Sequence, residues 1–274
     1  MAGILRMELA RAFRNNRFLV VFLLALACFL YGFYDASRFF PALQPGADAR
    51  LSQNAYELWL FVHFRSFYLY LAPIAAALPF VDSLWVDRSQ GFMRFILART
   101  SYRRYLAAKA LANLAAGAAA VGAPLLLLYL YTCLTASRGL PGSSLMFTTW
   151  GGQNGSPLGV LAGLYAQQPW AYILFLIGMA CLFGAVYATL GLAISSLIHN
   201  RYVALAAPFI TYVVSAYVAD RARHLGHQWS PETILIPYNT AGVSAGTILT
   251  QLAIVASFSL LLLCAFGRRS RIVN

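Results

Sequence analysis

Few side chains in this sequence are of a kind that does chemistry, and their spacing limits what each can do. Ser195 and His199 stand four apart, so on one helix they would touch and could form the nucleophile and base of an intramembrane hydrolase. His224-Leu225-Gly226-His227, with Asp220 and Glu232 close in sequence, offers the three or four nitrogen and oxygen ligands that a zinc-like ion takes. The plainer reading of that segment is a polar loop outside the membrane. Asp82 is the one acid near an apolar interior, where a carboxylate meets an arginine or water, or relays protons. There is no HExxH, no pair of acids within an apolar run, and no GxxxxGK[ST]; the single lysine, Lys109, lies in no glycine loop. Cys28, Cys133, Cys181 and Cys264 fall within or at the end of apolar runs without a CxxC pair, as small hydrophobes do. No metal, cofactor or nucleotide of its own is therefore expected, and catalysis by this chain is not the leading expectation.

The elements that must carry these residues are dominated by apolar side chains. Of 274 residues 61% are hydrophobic and 10% charged, where a soluble domain carries about a quarter charged. A soluble enzyme, a disordered chain and a disulfide scaffold are excluded. Six runs approach the roughly 20 residues that cross a bilayer: 18–37, 66–86, 107–132, 170–198, 202–219 and 248–267. The expected fold is a single all-α integral membrane domain over 1–274, with six transmembrane helices, an N-terminal amphipathic interfacial helix and a short helix in the cytosolic loop. Connections over 38–65, 133–169 and 220–247 fall outside, the middle one rich in Gly, Ser and Pro.

The net charge of +12 fixes an expected orientation. With both termini in the cytosol, that side receives Arg6, Arg11, Arg14 and Arg17, six basic residues over 88–109, Arg201, and the tail Arg268, Arg269 and Arg271. This is the bias by which cytosolic flanks retain basic residues, so nucleic acid is not needed to explain it. Residues 4–17 place Leu5, Leu9, Ala12 and Phe13 on one arc, with Glu8, Arg11, Arg14 and Asn15 off it. An interfacial helix lying on the bilayer has that pattern.

The loop after the second run, 87–104, is the most informative. Phe92, Phe95 and Ile96 stand at i, i+3 and i+4 after Gly91, so a short helix there shows an aromatic and aliphatic face flanked by Arg94 and Arg99. An apolar face on a cytosolic loop meets either lipid or another protein, and the residues alone leave both open. The pattern Asp87, Gly91, Arg94, Ile96-Leu97, then Ser101, Arg104 and Lys109 resembles the signature stretch of type-2 ATP-binding-cassette permeases. It departs from many members at Asp87 (Glu), Phe92 (Thr) and Thr100 (Pro). The resemblance implies that this coupling helix docks a cytosolic ATP-binding-cassette ATPase through Asp87, Gln90, Gly91, Phe92, Arg94, Phe95, Ile96 and Arg99. It also implies ATP-Mg bound in that partner, a second copy of the permease or a homologous one, and a bacterial cell membrane. The cargo would be a hydrophobic or amphipathic peptide, antibiotic or lipid, moved outward.

Small residues add a further feature. Ala180, Gly184 and Ala188 recur every four positions, Gly191 and Ser195 continue the strip, and Gly117 and Gly122 stand in the third run. Such strips let helices approach closely in lipid, either inside one subunit or at a seam between subunits. A membrane assembly or immunity protein that transports nothing is the alternative function.

Overall fold

The computed structural model describes residues 2–39, 54–136, 138, 159–198, 200–222, 227–240 and 242–272. Among them the regular structure is helical: α1 (Ala2–Phe13), α2 (Arg17–Phe39), α3 (Ala55–Arg65), α4 (Tyr68–Ala77), α5 (Ser83–Ser89), α6 (Phe92–Leu97), α7 (Tyr102–Thr135), α8 (Ala162–Gln167), α9 (Pro169–Leu197), α10 (Arg201–Arg221), α11 (Glu232–Leu235) and α12 (Ala245–Ile272). A 3-10 turn spans His227–Trp229. Five helices (α2, α7, α9, α10 and α12) are long and apolar enough to cross a membrane.

The run at 66–86 is not the single helix its composition suggests. The polypeptide enters it through α3, leaves the helix at Ser66 (φ −73°, ψ 148°), and starts again as α4 at an angle of 75°. Below α4 the ladder stops at Pro79, which has no N–H to donate, and resumes as α5. Carbonyls freed at this break are taken by the N-terminal segment: Arg17 Nη1 donates to Leu78 O at 3.2 Å and Asn15 Nδ2 to Pro79 O at 3.1 Å. Broken helices persist in apolar surroundings when neighbours supply such partners. If α3 and α4 together make one bent span, the described residues carry six candidate spans. The last eleven residues of the connection placed at 38–65 are thus helix α3, and its Trp59, Leu60, Phe61 and Val62 belong to the core.

The core is built on α7 against α9. At Gly117 a Cβ would overlap the Gly184 carbonyl and the Ala188 methyl, and at Gly122 the sulfur of Cys181. The small strip of α9 therefore serves backbone contact within this chain, with Ala180 and Ala188 buried against α7 and Gly184 facing Gly117. Gly191 receives Val81 from the broken run and Pro208 from α10, whose atoms would lie 2.8 and 2.9 Å from a Cβ there. Trp59 Nε1 and Tyr68 OH donate to Leu125 O and Val121 O on either side of Pro124, tying α3 and α4 to α7.

Candidate functional site

The segment 87–101 is positioned by a hinge of one residue. Gly91 adopts φ +71°, a left-handed conformation that costs side-chain-bearing residues roughly 1–2 kcal/mol, and turns the chain from α5 into α6. On α6, Met93 and Ile96 pack toward Leu84, Tyr105 and Leu192. The opposite face carries Phe95, 74% exposed, and Phe92, 38% exposed, with Gln90, Arg94 and Arg99 also exposed. Arg88 Nη2 donates to Ser196 O at 3.1 Å, pinning the base of this segment to the end of α9.

Asp87 has a different setting from the other residues of its group. Its carboxylate is fully buried, turned away from the exposed face, and sits at the centre of an ionic cluster. Arg11 Nη2 donates to its Oδ1 at 2.7 Å, Tyr105 OH to its Oδ2 at 2.6 Å, and Lys109 Nζ to the same Oδ2. Lys109 is equally buried; it also donates to Ser83 O at 3.2 Å and lies 3.5 Å from Glu8 Oε2. The rings of Phe80 and Tyr105 flank its ammonium at 5.3 Å. Glu8 is buried too, with Oε1 accepting from Arg11 at 3.4 Å. Two acids and two bases thus balance in one cluster, with Glu8, Asp87 and Lys109 buried and the Arg11 side chain 34% exposed at its edge, and buried charges are tolerated when paired in this way. Burial pushes the Asp87 carboxyl up, but the bonds and charges of Arg11 and Lys109 outweigh it and hold the group below its ordinary value.

These contacts join three elements at one end of the bundle: α1 through Glu8 and Arg11, α5 through Asp87, and α7 through Tyr105 and Lys109. Arg11 also lies 5.4 Å over the ring of Phe92, so α1 reaches α6 directly. A second ion pair stands beside the first. Arg17 grips Asp82 with both nitrogens, at 2.5 and 2.9 Å, and Arg201 Nε lies 4.0 Å from the same carboxylate. Asp82 is therefore an arginine partner at the break below α4.

Glu8, Arg11, Tyr105 and Lys109 were not singled out as site residues by the sequence pattern. Glu8 lies off the apolar arc of α1, yet it is the side chain that α1 buries, together with Ala12. A signal did exist: the only lysine of the chain falls inside an apolar helical run, where an ionisable group demands a partner.

Ser195 is buried with its hydroxyl donating to Leu192 O at 2.9 Å in its own helix, and His199 lies outside the described residues. His224 lies outside them as well. Among the described residues no group of three His, Cys, Asp or Glu could hold a metal ion. Over residues 2–237 the sequence matches the family model described as "ABC-2 family transporter protein". No curated protein matches the chain.

Proposed function

This chain belongs to the ABC-2 transporter family, as a multi-pass membrane permease, and from that premise we propose that it is the membrane-spanning half of an ATP-driven exporter whose ATP-Mg is bound and hydrolysed by a separate cytosolic ATPase. In this reading α6 is the coupling helix. The observation that carries it is the division of α6 into two faces: Met93 and Ile96 held against the bundle, Phe95 and Phe92 left bare beside Arg94 and Arg99. An exposed aromatic face backed by a packed one is what a rigid knob for a groove on a partner requires. The ionic cluster behind it supports the same reading. Asp87 links the base of α6 to α1 and α7, so a push on α6 is delivered to the long helices without being absorbed in a loose loop.

Both termini would be cytosolic in a bacterial cell membrane, the side to which the positive-inside bias assigns α1, α6 and the tail. Two permeases, alike or homologous, would frame the path. The cargo is a hydrophobic or amphipathic molecule, which suits a bundle whose charged side chains gather at its ends.

Docking is tested by co-purification. Phe92→Asp with Phe95→Asp is expected to abolish recovery of the ATPase from mild detergent while the permease inserts and keeps its Tm, because neither ring is in the core. Full recovery of the ATPase with that double variant would overturn the assignment of α6.

A further inference from the structure

Two helices in this structure fork. α10 and α12 each pack on α9 and both touch the 3-10 turn at His227–Trp229. Between them lies a cavity of about 330 Å³, at the small end of the roughly 300–1,000 Å³ range of ligand sites. α9 forms its floor and Trp229 part of its roof, with Val218 on one wall and Ile254 and Val255 on the other.

The chemistry of the lining is narrow. No Asp, Glu, Lys, Arg or His contributes to it, and the polar lining comes from a few groups such as Gln251 and Ser215. Gln251, only 9% exposed, directs its Nε2 to Gln228 O at 3.0 Å and to Thr233 Oγ1 at 3.4 Å. That leaves its carbonyl oxygen as the uncommitted acceptor. Ser215 likewise directs its proton to backbone, with its Oγ 2.7 Å from Thr211 O and 3.0 Å from Tyr212 O, and it is hydrogen-bonded to Tyr187 of the same lining, so Gln251 is the acceptor left to an incoming head. A charged head placed here would be desolvated without a counter-charge, which strongly disfavours it. A hydroxyl or amide N–H would be satisfied.

The mouth indicates where the occupant comes from. Val218 and Ile254 are 52% and 60% exposed, and apolar residues continue outward along both helices. Both helices are of membrane-crossing length and apolarity. The opening therefore faces acyl chains, and a molecule already in the bilayer enters sideways with its chain between Val218 and Ile254.

We propose that the α9–α10–α12 cleft is a lateral binding site for an uncharged single-chain amphiphile whose head donates a hydrogen bond to Gln251, with a monoacylglycerol as the fitting chemistry. This deepens the cargo class proposed above and rests on that reading for the role of the bound molecule, while binding itself belongs to the permease alone.

The test uses purified full-length permease in phosphatidylcholine nanodiscs, without ATPase, and a monoacylglycerol carrying a photoactivatable diazirine in its chain. Saturable labelling of Val218, Ile254 or Val255 is expected, displaced by unlabelled monoacylglycerol and at least tenfold less well by a fatty-acid anion of equal chain length. Val255→Trp and Ala219→Phe fill the cavity from opposite walls and should each remove this labelling; two variants guard against one that fails to fold. Gln251→Leu should weaken the monoacylglycerol about tenfold, the usual effect of losing one buried hydrogen bond, and narrow its advantage over the anion. Labelling that only tracks the amount of probe in the bilayer, or that survives both filled cavities, overturns the proposal. So does a disulfide between copies in a Val218→Cys, Ile254→Cys variant, which would mean that a second copy covers the cleft. A permease that labels as expected but recovers no ATPase would sink the transport reading and leave the site standing.

Discussion

Lys109 is fully buried, and its charge is met by Asp87 and Glu8, with Arg11 completing the balance. Removing one member strands another. Asp87→Asn is expected to cost about 3–5 kcal/mol, the usual consequence of breaking a buried ion pair from one side, seen as a large fall in Tm in detergent. Lys109→Met should cost a similar amount, and the two together less than their sum, because each removes the charge that the other leaves exposed to a dry interior. Acid acts through the same group. The Asp87 carboxyl ionises more readily in the folded protein than at its ordinary value of 3.8, so its stabilisation is complete above that value and is lost as pH falls through the lower folded one. Protection of the α1 amides against hydrogen exchange, taken relative to the intrinsic exchange rate at each pH, should fall on going from about pH 5 to about pH 3, and Asp87→Asn should remove that dependence.

At the scale of elements, the hinge and the helix seam respond to different physics. A Cβ at Gly91 would meet nothing within 4 Å, so Gly91→Ala pays only for its left-handed backbone, about 1–2 kcal/mol. If α6 docks an ATPase, that variant should loosen recovery of the partner in pull-down more than it lowers Tm. Gly184 is the opposite case, because any side chain there overlaps the carbonyl of Gly117. Gly184→Leu must push α7 off α9 and should prevent a folded permease from accumulating, whereas Gly178→Leu on the same helix meets open space and should be tolerated. Fluorescence-detected size exclusion separates the two. Helix α1 shows what element-level periodicity leaves out near charges. Of the apolar arc over Leu5, Leu9, Ala12 and Phe13, Ala12 is buried with Leu9 packed beside it and Phe13 is exposed and stacks on Phe18, while Glu8, off that arc, is buried as well. A charge paired across helices is invisible to a pattern that counts only one helix.

For the whole molecule, the apolar fraction and the runs of apolar residues were enough to place α2, α7, α9, α10 and α12 within a few residues of their ends, because a bilayer demands long uninterrupted stretches and any sequence that supplies them declares itself. The spacing of Phe92, Phe95 and Ile96 pointed to a short helix at α6, but it grouped all three on one free face, whereas Phe92 and Phe95 are exposed and Ile96 packs with Met93 toward Leu84, Tyr105 and Leu192. The break between α3 and α4, the capture of the freed carbonyls by Asn15 and Arg17, and the cluster at Asp87 were not readable. The capture and the cluster join residues that stand about 20 to 100 positions apart, and no spacing rule within one segment reports such a meeting. The strip at Ala180, Gly184 and Ala188 announced close approach but not its partner; Gly117 became that partner when α7 and α9 folded against each other. What the sequence determined by itself was which long stretches are apolar enough for a bilayer, since that depends on composition alone; it left α3 in a connection outside the membrane, although that helix packs into the core. Which buried charge meets which, and where two helices part to leave a cleft, was decided by the tertiary structure, since both depend on helices brought together from distant parts of the chain.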